Sequence, residues 1–155
     1  MIPKRVVLDT NVCLDLFVFR DPRWAALHEA LRTGAMEAVT RDDCRTEWWL
    51  VLHYPHLKLD ETRREQVARE FDALIRPYHR TDEQVGTVVL PICKDKDDQK
   101  FLELARDAQA ALLLTKDKAL LKLAGKARRN GLFAIMTPDA WTRDFSLSKI
   151  ETQSP

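Results

Sequence analysis

Arg5-Val6-Val7-Leu8 is a short, largely apolar run that stops abruptly at Asp9-Thr10-Asn11, and this junction constrains the fold more than any other feature of the chain. So short and continuous a run suits a central strand buried on both faces. Val12, Leu14, Leu16 and Phe17 follow at once, so a helix should succeed the strand after a tight turn. The pattern then recurs. Asp21-Pro22 starts a second helix, Trp24, Leu27 and Leu31 give it an apolar face, and Gly34 stops it. Met36 to Thr40 reads as a strand, and Arg41 to Tyr54 as a helix closed by Pro55. Asp60 caps a helix in which Val67, Phe71 and Leu74 face one way before Pro77. The remainder reads as strand Val85–Leu90, helix Asp97–Ala108, strand Ala111–Leu114, helix Lys118–Arg129 and strand Leu132–Met136. A short helix follows Thr137-Pro138, and the tail from Ser146 should fray.

Strands alternating with helices indicate an α/β fold with a parallel sheet covered on both faces. The expected organisation is one domain over residues 1–145 and a tail over 146–155. In such sheets ligands bind beyond the carboxyl ends of the strands. Asp9 follows the first strand and Asp117 follows Ala111–Leu114, so the architecture nominates both before any motif is considered.

With 155 residues, 45% of them apolar, the chain has the size and core of one domain. No stretch approaches the roughly 18 apolar residues of a membrane span. Met1 to Val7 lacks a cleavable signal pattern. Cys13, Cys44 and Cys93 are odd in number and far apart, which favours reduced thiols and a cytoplasmic protein over a disulfide frame or zinc site. The net charge of +1 does not itself point to a nucleic-acid partner. Between Lys94 and Asn130, however, ten Lys/Arg face six Asp/Glu, a local excess of four positive charges.

Four acids carry the functional reading. Asp9 and Asp117 each suit an N-cap, a role compatible with cation binding. Glu47 has Cys44, Leu50, Val51 and Tyr54 as helical neighbours, where a lone carboxylate is costly unless paired or bound to a metal. The alternative places it on a wet margin beside Arg41 or Arg45. Asp95, Asp97 and Asp98 all sit where a helix dipole favours negative charge. Asp98 is preferred because it continues the stripe Phe101, Leu102, Ala105 toward the sheet. Together these acids outline an all-oxygen site suited to Mg²⁺ or Mn²⁺. His28, His53, His56 and His79 offer no convergent rival set.

With these residues in hand, the chain resembles the PIN-domain nucleases, and is most similar to the branch of toxin components of toxin–antitoxin systems related to the VapC toxins. Val6-Val7-Leu8-Asp9-Thr10-Asn11-Val12 matches the family's strand-to-helix signature, Arg45-Thr46-Glu47 its mid-chain glutamate, and Cys93 to Ala105 its third acidic block. Leu114 to Leu121 is similar to its last motif, with Asp117 as the fourth acid. Lys96 stands where the branch often has proline, and Lys116 where glycine is usual. The resemblance implies a three-layer α/β/α domain with a central, mainly parallel five-stranded sheet. It also implies metal-dependent endoribonuclease activity, frequent homodimers and an antitoxin partner.

On this reading Asp9, Asp98 and Asp117 are the principal ligands, and Glu47 is a ligand or orients the attacking water. Thr10, Asn11 and Thr115 would fix carboxylate orientation through hydrogen bonds. Lys118, Lys122, Lys126 and Arg129, with Lys94, Lys96 and Lys116, would carry RNA phosphates into the site, the alternative being an ordinary solvated helix face. Two competing functions are a haloacid-dehalogenase-like phosphatase, which normally has an acid where Asn11 stands, and a non-catalytic RNA-binding or assembly domain.

Overall fold

The computed structural model describes residues 4–79 and 88–153. Five strands form one sheet: β1 (Lys4–Leu8), β2 (Met36–Thr40), β3 (Ile75–Pro77), β4 (Leu112–Leu114) and β5 (Ala134–Met136). Their order is β3-β2-β1-β4-β5, every pairing is parallel, and β1 lies at the centre. Alternating side chains feed two cores. Val6, Leu8, Ala38 and Leu114 pack on one face, and Val7, Val39, Leu113 and Ile135 on the other. The opening run is therefore buried from both sides, as its continuity requires.

Helices cover both faces, completing an α/β/α sandwich. Next to β1 come α1 (Thr10–Cys13), continued by a π turn over Leu14–Val18, and then α2 (Ala25–Thr33). Asp21 and Pro22 lead into α2 through a 3-10 turn, and Gly34 ends it with φ +83°. Then come α3 (Asp42–Val51), α4 (Glu61–Leu74) capped by Asp60, α5 (Gln99–Asp107), α6 (Lys118–Leu121), α7 (Ala124–Arg129) and α8 (Pro138–Gln153). Among the described residues, no helix is long and apolar enough to cross a membrane. The three cysteines are free and buried.

Four expectations need correction. The third strand is Ile75–Pro77, where the α4 helix was expected to run on to its proline stop. Ile75 pairs with Ala38 and Pro77 with Thr40 at the sheet's edge, where a residue without an N–H is tolerated. Of the expected strand Val85–Leu90, residues 85–87 lie outside the described residues, and 88–90 are irregular, with Leu90 packed on the second core and Val89 exposed. Lys118–Arg129 is not one helix but two, broken at Lys122-Leu123, just before the weak helix former Gly125. The last helix is long, running through Ser146 to Gln153, with Trp141 stacked on Phe145 near its start.

The chain builds β1, β2 and β3 outward on one side, then returns to build β4 and β5 on the other. The crevice for a ligand thus opens between the carboxyl ends of β1 and β4, where the strand order reverses.

Candidate metal centre

Asp9 and Asp117 stand at the two lips of that crevice. Asp9 continues the ladder, its N–H donating to Leu114 O at 3.0 Å, and caps α1 by accepting the Thr10 N–H at 2.7 Å. Asp117 caps α6, accepting the Ala119 N–H at 2.8 Å. Asp98 arrives from the 3-10 turn Lys96–Asp98 that leads into α5. One carboxylate oxygen from each of Asp9, Asp98 and Asp117 lies within 4.8 Å of the others.

Glu47 stands outside that trio but is linked to it. Its Oε2 accepts the Thr10 hydroxyl, so Thr10 bridges Asp9 and Glu47. Its Oε1 accepts from Lys100 Nζ at 2.9 Å. The wet margin beside Arg41 or Arg45 is not its environment: Arg41 pairs with Asp43 and Glu103, and Arg45 with Asp72.

Burial and crowding set the electrostatics. Asp9 is 4% exposed, and burial pushes its carboxyl up to about 6. Hydrogen bonds from Thr115 and Thr10 oppose the rise, and the charges of Glu47 and Asp117 add to it. Burial also pushes Asp98 well above the carboxylate range, helped by a proton shared with Asp117, which is held low in return. With both ionised, Asp98 Oδ2 is buried with no hydrogen-bonding partner among the described residues. A buried carboxylate oxygen without a partner, on a side chain clustered with two more carboxylates, fits a hard divalent cation.

Each expected supporting residue touches this cluster. The Thr115 hydroxyl, fully buried, donates to Asp9 Oδ2 at 2.7 Å and accepts the Asp117 N–H at 2.9 Å. Asn11 Nδ2 donates to Asp9 Oδ2 at 3.3 Å, and Asn11 Oδ1 accepts the Lys116 N–H at 3.2 Å. The amide thus ties the Asp9 segment to the loop carrying Asp117. Asp97 is exposed, and Asp95 is spent on capping the Asp97 N–H. The helical stripe thus points to the one buried aspartate of the three.

Lys94, Lys96, Lys116, Lys118, Lys122, Lys126 and Arg129 are all exposed, but the break in the helix removes the single face implied by four-residue spacing. Lys116 reaches away from the trio to Asp15, 2.7 Å from Oδ2, where the Trp24 indole N–H also donates at 3.1 Å. Asp15, 5% exposed, and Lys100 are absent from the sequence expectations. A lone carboxylate between Leu14 and Leu16 is a readable signal for the first; nothing in the spacing of Lys100 marks the second.

Among known families, a model described as PIN domain matches residues 5–119, a span from β1 into α6 that holds all four acids. No curated protein matches the chain significantly.

Proposed function

Given that the chain belongs to the PIN-domain family of nucleases, we propose that it is a Mg²⁺- or Mn²⁺-dependent endoribonuclease hydrolysing phosphodiester bonds. The observation that carries this is the convergence of Asp9, Asp98 and Asp117 at the carboxyl edge of the sheet, with one buried Asp98 oxygen left without a hydrogen-bonding partner among the described residues. When bound, a divalent cation supplies charge neutralisation for a phosphate and acidifies water. Asp9, Asp98 and Asp117 hold it. Thr115, Thr10 and Asn11 fix the Asp9 carboxylate, so its lone pairs need no reorganisation. Glu47 is held by Thr10 and Lys100 and keeps spare lone pairs to orient an attacking water.

The exposed lysines and Arg129 supply phosphate contacts along the approach to this acidic centre. Asn11 argues against the phosphatase reading, because it fastens two loops where that chemistry needs an acid. The resemblance to VapC toxins supports the reading that the chain is a toxin component with an antitoxin partner, acting as a homodimer.

Single-stranded RNA incubated with Mn²⁺, with and without EDTA, tests the activity. Wild type should cleave, and Asp9→Asn and Asp98→Asn should not. Equal turnover by all three sinks the proposal, and metal binding without turnover by wild type supports the non-catalytic alternative. Growth arrest on expressing wild type but not Asp98→Asn tests the toxin role.

A further inference from the structure

Four acids near one crevice invite the expectation of two divalent ions, yet they are not equally free to bind them. Asp98 Oδ2 is buried without a partner among the described residues, and the trio that Asp98 belongs to is compact. Both Glu47 oxygens accept hydrogen bonds from within the chain, as both Asp9 oxygens do. The Asp9 donors are neutral groups of Thr10, Asn11 and Thr115, whereas one Glu47 donor is an ammonium.

That ammonium is firmly installed. The Lys100 side chain is 15% exposed, its Nζ lies 2.9 Å from Glu47 Oε1 and donates also to the Asp97 carbonyl, and it sits 5.2 Å from the Phe101 ring centroid. Its stem rises from the first turn of α5, two residues after Asp98, so the 3-10 turn that delivers the open ligand leads directly into the helix that delivers the cation paired with Glu47. Formal charge agrees. Four carboxylates, one ammonium and one divalent ion leave a single negative charge. A second divalent ion would tip the cluster positive beside Lys100, or would have to displace it from Glu47 against like-charge repulsion.

We infer that the centre holds one divalent ion per chain, on Asp9, Asp98 and Asp117, and that Lys100, by holding Glu47, is a built-in cation in the place of a second. The inference rests on the nuclease reading of the site. Lys100 is a positioning residue that acts through Glu47.

The test is Mn²⁺ titration of the full chain, with free Mn²⁺ followed by its paramagnetic resonance signal and no substrate present. Wild type should bind one ion, and so should Lys100→Arg. Lys100→Met, which frees Glu47, should bind two, and the double variant Lys100→Met/Glu47→Gln should return to one. Two ions on wild type, or one on Lys100→Met, overturns the inference while leaving the nuclease reading intact. No saturable binding by wild type overturns the nuclease reading itself. The wild-type stoichiometry decides the matter even if Lys100→Met fails to fold.

Discussion

The Thr115 hydroxyl donates to Asp9 Oδ2 at 2.7 Å, joining the end of β4 to the end of β1 across 106 residues of chain. The Thr115 hydroxyl oxygen also accepts the Asp117 N–H, so one fully buried hydroxyl orients two of the three candidate ligands. Thr115→Val keeps the shape and removes both bonds. Unfolding in urea with EDTA present should show a loss of about 1–3 kcal/mol. Mn²⁺ affinity should fall roughly 10–100-fold, as for other residues that orient a ligand. Unchanged affinity would mean that Asp9 is held without this hydroxyl.

Stability without metal should depend on pH with a definite sign. The folded Asp9 carboxyl is raised from 3.8 to about 6, so folding favours its neutral form. Its contribution is complete below the ordinary value and is lost as pH climbs through about 6, a change of about 3 kcal/mol at most. Asp98 acts in the same direction. In EDTA the Tm should therefore fall between pH 5 and pH 8, and Mn²⁺ should raise it far more at pH 8. A metal-induced shift of equal size at both pH values contradicts this account.

Lys116 and Asp15 form an ion pair of unequal exposure, 43% against 8% for the side chains. Lys116→Gly leaves the Asp15 carboxylate with the Trp24 N–H and, among the described residues, no ion-pair partner. Solvent screening of the lysine keeps the expected loss to about 1 kcal/mol. Asp15→Asn combined with Lys116→Gly should cost less than the sum of the single changes, and strict additivity in chemical denaturation would show no coupling.

Trp48 stacks on Phe71 at 5.1 Å and meets Phe17 edge-on at 6.1 Å, with 3% of its surface exposed. Trp48→Ala should cost about 3–5 kcal/mol in denaturant unfolding. Trp49, half exposed on the same helix, should tolerate alanine with little change.

For the proposed RNA path, charge reversal at Lys122 and Lys126 should weaken RNA binding and flatten its salt dependence. The slope of log K against log salt should fall by about 0.7 for each single-strand phosphate that is no longer neutralised. An unaltered slope would leave these lysines as solvated surface.

Much of this was legible in the sequence for local reasons. β1, β2, β4 and β5 are short apolar runs bounded by caps and glycines, and Asp9 and Asp117 abut two of them. The helical stripe through Phe101, Leu102 and Ala105 located Asp98, because helix periodicity fixes which side meets the sheet. β3 was illegible for the opposite reason. Ile75 extends the apolar spacing of α4, and only Ala38, far away in the chain, makes it a strand. Lys100 likewise looks like any solvated helix charge until the fold sets Glu47 beside it.

The bond from Thr115 to Asp9 also dates the centre within the life of each molecule. A chain made only as far as β3 possesses Asp9 and Glu47, but half of its acids are still unmade and its sheet ends at β1 with a blank edge. Whatever reaction the crevice supports begins only when β4 docks, so completion of folding arms the protein. Fraying that strand would disarm it again, and would take with it the pairing of β5 and the core contacts of Leu113 and Leu114.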